Sequence, residues 1–203
     1  LLKLYHNYLK SENKLFEEAF DYGKLQITEG HIRYGNLSAE HIVFAEGFGL
    51  HQNPFFNYLP LDGTKGELLL IKAPDLDIDI IVNTSVFILP LGNDMFKVGA
   101  TYNWEDKTNL PTEEGKNELT AKLREIITCD FEIMEHWAGV RPTVKDRRPL
   151  LGTHHIYKNI HILNGLGTRG VMLAPAMALD LFEYVEKQKP LDSTIDIRRF
   201  SIS

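Results

Sequence analysis

Between Gly66 and Thr101 the chain is cut into four β-type runs, "GELLLIK" (66–72), "DIDIIV" (77–82), "SVFILPL" (85–91) and "MFKVGAT" (95–101). Turn residues separate them, as at Gly92-Asn93-Asp94, and Asp62-Gly63 stands just ahead of the first. Short apolar runs punctuated in this way pair with their chain neighbours, so this stretch predicts a mostly antiparallel sheet. The remaining segments have to be arranged around it.

On that sheet a helix is expected from Thr112, a side chain suited to capping, with Leu119, Leu123, Ile126 and Ile127 on one stripe. Upstream, Leu1, Leu4, Tyr5, Tyr8 and Leu9 recur at helical spacing and predict an amphipathic helix to about Lys14. The runs "LFEEAFD", "LQITEG" and "HIRYG" read as short strands. Ile42 to Ala45, continuously apolar, reads as a strand buried on both faces. "FEIMEHWAGV" and "IHILNG" add two more. After the second, "GLGTRGVMLAPAMALDLFEYVEKQK" passes from a glycine cluster into a helix apolar on nearly every side, which predicts enclosure and places Pro175 in its first turn.

At 203 residues, 43% apolar and 25% charged, the chain has the composition of a folded globular protein. Its net charge of −6 supplies no basic field for nucleic acid. A lone Cys129 forms no internal disulfide, and neither a cleavable leader nor a membrane-length apolar run is visible, so the expected location is the cytoplasm.

Two constellations can carry chemistry. The glycines of "GLGTRG" (Gly165, Gly167, Gly170) stand between a strand and a helix start, where free backbone N–H groups and the positive helix end favour an electron-rich group. The spacing matches a dinucleotide loop, but only "EYVEKQKPLDSTIDIRRFSIS" follows, too little for the βαβ unit that such a loop opens. A turn serving only close helix packing is the plainer alternative. Arg141, between Gly139 and Pro142, offers five donors in a rigid fork suited to a carboxylate, and either a carboxylate ligand or a structural ion pair would explain it. "KDRRP" reads as a solvated loop in which Asp146 pairs with Lys145, Arg147 or Arg148. His154-His155 reads as loop surface and Lys65 as a turn lysine. His51, His136, His154 and His155 have no metal-ligand spacing, so no metal is expected.

Taken in order, "AEHIVFAEG", "TKGELLLI", "FKVGAT", "WAGVRPTVKDRRPLLG" and "NGLGTRGVMLAP" resemble the D-amino-acid oxidase superfamily of FAD-dependent amine oxidoreductases. The likeness runs over roughly residues 35 to 187, nearest the glycine oxidase-like and D-amino-acid dehydrogenase-like branches. The resemblance implies oxidation of a carbon–nitrogen bond by hydride transfer to flavin, with a small amine or amino acid as substrate. It gives Arg141 the substrate carboxylate and places Phe87 and Tyr102 in the substrate pocket. It sets Gly165, Leu166, Gly167, Thr168, Arg169, Gly170 and Val171 against the flavin's pyrimidine edge, and Gly47 near its adenosine and phosphate side. Lys97 falls where some oxidases keep an oxygen-activating lysine, or is simply a lysine on an outer strand face. Where a second substrate arginine can stand in glycine oxidase-like chains this chain has Thr168, with Arg169 one place later. No cysteine accompanies the Arg-Pro element, so non-covalent FAD is implied.

The fold expected is mixed α+β and α/β: residues 1–50 as the later part of an FAD-binding domain, 51–140 as an antiparallel-sheet substrate domain with overlying helices, and 141–203 as the return to the FAD domain with its last helix. The superfamily's opening glycine-rich strand–loop–helix is not among these 203 residues. The expectation is therefore a C-terminal portion that holds FAD poorly by itself and self-associates as a homodimer through the surface meant for the rest. A stand-alone, non-catalytic module binding a small carboxylate is the alternative; a flavin-dependent tRNA-modifying relative, which would need a basic face, is a third.

Overall fold

The computed structural model describes residues 2–28 and 30–200. Leu1 and Glu29, assigned above to the first helix and to a β-run, lie outside the described residues. The chain divides into two compact units, Leu1–Ile42 and Val43–Ser203.

The first unit carries helix α1 (Leu2–Ser11) and an antiparallel sheet of β1 (Leu25–Thr28), β2 (His31–Tyr34) and β3 (Leu37–Ala39). The run 15–21 forms no strand. It is attached through side chains instead: the Phe20 ring stacks on Tyr34 at 4.5 Å, and Asp21 N–H donates to Tyr34 Oη at 3.0 Å.

The second unit is built on a five-stranded antiparallel sheet ordered β6-β7-β8-β5-β9. Its strands are β5 (Leu61–Lys72), β6 (Val82–Asn83), β7 (Phe87–Gly92), β8 (Met95–Gly99) and β9 (Glu132–Val144). Helix α2 (Glu113–Arg124) covers one face, with Thr112 Oγ1 accepting from Gly115 N–H at 3.0 Å as the cap. Leu119 and Leu123 meet Leu69, Ile71, Ile88, Phe96 and Val98 there in a closed core, each such side chain contributing about 1.5–3 kcal/mol of burial. The expected strand 77–82 shrinks to its last residue plus Asn83. Asp77 and Asp79 are poor strand formers, and Ile78 packs on the core from an irregular segment while Ile80 and Ile81 stay exposed.

A second sheet holds β10 (Leu150–Thr153), β11 (Ile160–Asn164) and β4 (Ile42–Phe44) in the order β10-β11-β4. β10 does not stand out in the sequence, where charge and Pro149 precede it. In β4, Val43 is 48% exposed, so this strand is not buried on both faces. Helix α3 (Gly170–Lys187) lays Leu181, Met177, Tyr184 and Val185 against Leu151 and Ile195. It is not enclosed: Val171, Met172, Leu179 and Phe182 are more than half exposed. Pro175 sits in its second turn rather than its first, because the helix starts at Gly170. Among the described residues no helix is long and apolar enough to cross a membrane.

Candidate active site

The site face of the large sheet is the one turned away from α2. Leu69 and Ile71 of β5 point to the core, so the alternation of a strand sends Thr64, Gly66 and Leu68 to the other side. β9 pairs with β5 over its whole length, and Arg141 stands directly opposite Thr64. Its guanidinium lies over Gly66 so closely that a Cβ there would fall 1.9–2.2 Å from it. The Tyr102 ring is 4.7 Å from the guanidinium carbon, a cation–π contact, and Nη1 donates to Thr101 O at 3.4 Å.

The structural ion pair weighed for Arg141 does not form. Among the described residues its guanidinium has no carboxylate partner. Burial depresses its pKa from the ordinary value, with Tyr102 opposing, yet a guanidinium this basic stays charged. The result is a half-buried cation with most of its donors unfilled, which predisposes the place to an anion.

Facing it is the turn between β11 and α3. Gly165 (φ +69°) and Gly167 (φ +56°) adopt the left-handed backbone that glycine tolerates. A Cβ on Gly165 would meet Val144 at 2.8 Å, whereas one on Gly167 would meet nothing within 4 Å, so the turn packs at one end and opens to space at the other. No side chain caps the start of α3, which leaves first-turn N–H groups and the positive helix end available to a ligand.

Two cavities lie here, and both are lined by Tyr102, Arg141, Gly167, Thr168 and Arg169. One, of about 540 Å³, adds Thr64, Trp104, Thr143, Val144, Arg147, Gly165 and Leu166. The other, of about 870 Å³, adds Phe87, Leu68, Gly99, Gly170, Val171 and Met172 on one side and 83–86 on the other. Arg141, Phe87, Tyr102 and the whole turn from Gly165 to Val171 are thus brought together. Gly47 and Lys97 line neither cavity: the Gly47 carbonyl accepts from Asn164 Nδ2 at 2.9 Å, and Lys97 Nζ sits 5.3 Å from the Trp137 ring centroid.

The segment that carries Tyr102 and Trp104 over the site is tied down from behind. Lys65, one residue before Gly66, is 1% exposed in mid-strand and is not a turn lysine. Its Nζ donates to Asp106 Oδ2 and Leu110 O at 2.5 Å each and lies 3.5 Å from Glu67 Oε1. Burial alone would lower the Lys65 pKa, but the Asp106 hydrogen bond and the Glu67 charge outweigh it and raise it; Asp106 is held down at about 2, chiefly by its hydrogen bond from Lys65. Glu67 accepts from Thr112 N at 2.9 Å and from Thr112 Oγ1 at 2.8 Å, fixing the start of α2. His136 Nε2 is 2.7 Å from Glu67 Oε2, though out of line for a hydrogen bond. Lys107 bonds Asp62, and Asn109 accepts from Val140 N–H on the open edge of β9.

Sequence reasoning missed this anchor, Gly66 as the platform of Arg141, and the lining roles of Trp104 and Arg147. The available signal was "TKGE": a charged residue beside glycine inside a strand marks a close approach. Asp146 pairs with Arg199 at 2.9 Å and accepts from Arg148 N–H, not with a side chain of its own loop. His154 is no surface residue: it is 6% exposed among Phe55, Phe56 and Tyr157, with Nδ1 accepting from Ile156 and Tyr157 N–H. Among the described residues no cluster of three metal-ligating side chains occurs.

Glycine oxidase of Bacillus subtilis (strain 168) is 28% identical over 149 residues, covering 70% of this chain and 40% of the relative. The "Bifunctional protein ThiO/ThiG" of Trichormus variabilis is 28% identical over 175 residues, covering 82% and 26%. The chain therefore spans well under half the length of these relatives. Among solved structures, glycine oxidase from Geobacillus kaustophilus superposes with a TM-score of 0.68 at 21% identity, over 85% of this chain and 48% of that one. Iminodiacetate oxidase from Chelativorans sp. BNC1 gives 0.70 at 22% identity, over 85% and 51%; at such identities these two show the shared fold. The profile of the family described as "FAD dependent oxidoreductase" matches residues 16–184. With most of the chain inside that match, and with its sheets and helices arranged as in the solved relatives, the protein belongs to the FAD-dependent oxidoreductase (DAO) family.

Proposed function

We propose that this chain forms the substrate-facing part of a flavin site in an enzyme that oxidises the carbon–nitrogen bond of an amino acid or related amine. The observation that carries the reading is the convergence of an unpaired Arg141 and the uncapped start of α3 on the same cavities. Arg141 takes the substrate carboxylate, its fork lying over Gly66 and against the Tyr102 ring. Phe87 walls the larger cavity. The first-turn N–H groups of α3 address an electron-rich ring edge, and among the described residues no acidic side chain lines either cavity to repel the charge that a flavin would gain there on reduction. On this ground the residues present fit the ring end of FAD.

FAD held there would supply the two-electron acceptor for oxidation of the carbon–nitrogen bond to an imine, which water would then hydrolyse. Among the described residues the lining holds no carboxylate, histidine or lysine, so these walls supply no general base, and on this reading the amine reacts in its neutral form. Cys129, the single cysteine, packs at the α2 core, which supports a non-covalent flavin. Lys97 could assist oxygen only after leaving the Trp137 ring. Gly47 stays assigned to the adenosine side, and the division at 1–50, 51–140 and 141–203 remains the domain reading, in a cytoplasmic protein without nucleic acid as partner. Self-association through the exposed apolar side of α3 belongs to the same reading.

The test is the purified gene product, which should be yellow and bleach anaerobically with a small amino acid. Arg141→Ala should weaken carboxylate-bearing substrates by about 2–5 kcal/mol. Carboxylate binding without any flavin uptake would favour the non-catalytic module instead.

A further inference from the structure

Arg141 is not the only guanidinium at the smaller cavity. Arg147 and Arg169 line it as well, and among the described residues no Asp or Glu does, although the chain as a whole is acidic at −6. Neither side chain is paired: among the described residues Arg147 and Arg169 have no ion pair or side-chain hydrogen bond, while their neighbours Arg148 and Arg199 are drawn into the Asp146 loop. Arg147 is held at φ +56° by a turn in which its N–H donates to Val144 O, so its place at the rim is set by the backbone. Arg147 and Arg169 are exposed and Arg141 is half-buried, so water screens much of their mutual repulsion, but the three charges still bias one concave space toward anions.

We infer that the substrate carries two anionic groups, one carboxylate on Arg141 and a second anion at the rim between Arg147 and Arg169. This rests on the reading of Arg141 as the carboxylate site and narrows it to dicarboxylic amino acids or amines. A phosphate would satisfy the same rim, so the test has to separate the two sources.

Calorimetric titration of the 203-residue chain with glutarate, butyrate and pyrophosphate does so without any need for flavin. Glutarate should bind at least about tenfold tighter than butyrate, each tenfold being one extra 1.4 kcal/mol of contact. Arg147→Gln should abolish that advantage, lowering glutarate affinity far more than butyrate affinity, and Arg169→Gln should reduce it. Glutarate no tighter than butyrate, with both lost in Arg141→Ala, overturns the second-anion site and leaves the carboxylate site standing. Pyrophosphate binding tighter than glutarate and indifferent to Arg141→Ala overturns it in favour of a phosphate. Absence of butyrate and glutarate binding, or binding indifferent to Arg141→Ala, overturns both readings together.

Discussion

Gly66 and Arg141 show how one residue's absent side chain fixes another's position. In Gly66→Ala the added methyl would collide with the tip of a flexible arginine rather than with backbone, so the guanidinium moves and the fold survives. The expected outcome is a stability within about 1 kcal/mol of the parent with butyrate affinity lowered as in Arg141→Ala; unchanged affinity would show that the platform does not matter. His154 is the clearest pH-sensitive residue. Burial first, then the charges of His155 and Lys158, push its pKa down to about 4. The unfolded chain takes up that proton near pH 6.5, so the native state is penalised as pH falls. Stability should be level in this respect above about pH 6.5 and decline progressively toward pH 4. Thermal melts of parent and His154→Phe across that range check it, the slope being shallower in the variant. Arg141 could be singled out from sequence by its setting between Gly139 and Pro142. His154 could not, because nothing in "GTHHIY" reveals the Phe55 and Phe56 rings a hundred positions earlier that enclose it.

At the level of elements, the segment from Thr101 to Thr112 is irregular and still fixed, because the buried Lys65 holds it through Asp106 and Leu110 while Glu67 holds its end. Lys65→Met would strand the buried Glu67 without its cation, at a cost of about 3–5 kcal/mol, and would cut the segment's tie through Asp106. Urea denaturation measures that loss, and Trp104, which rides on the segment, should report its release as a change in fluorescence. α2 was legible from Thr112 and the Leu119–Leu123 stripe, since its pattern is local. The extent of β5 was not: Asp62-Gly63 looks like a turn, and only pairing with β9, some eighty residues away, draws it into the strand.

For the whole molecule, α3 was expected to be surrounded and is covered on one side only. Hydrophobicity in a sequence says that a helix wants contacts, not which body provides them. If the open side pairs with a second copy, Phe182→Glu should convert a dimer to a monomer in sedimentation without altering the melt of the isolated fold. A parent chain that is already monomeric at micromolar concentration rules the pairing out.

β5 serves two masters by parity: its even positions Thr64 and Leu68 line the two cavities with Gly66 lying under Arg141 between them, and its odd positions Lys65, Glu67 and Leu69 hold the architecture behind. Substitutions along it can therefore separate recognition from integrity, but a single inserted or deleted residue exchanges the two sets at once. Evolution of a new specificity in this strand is confined to swaps of side chains, with its length effectively frozen.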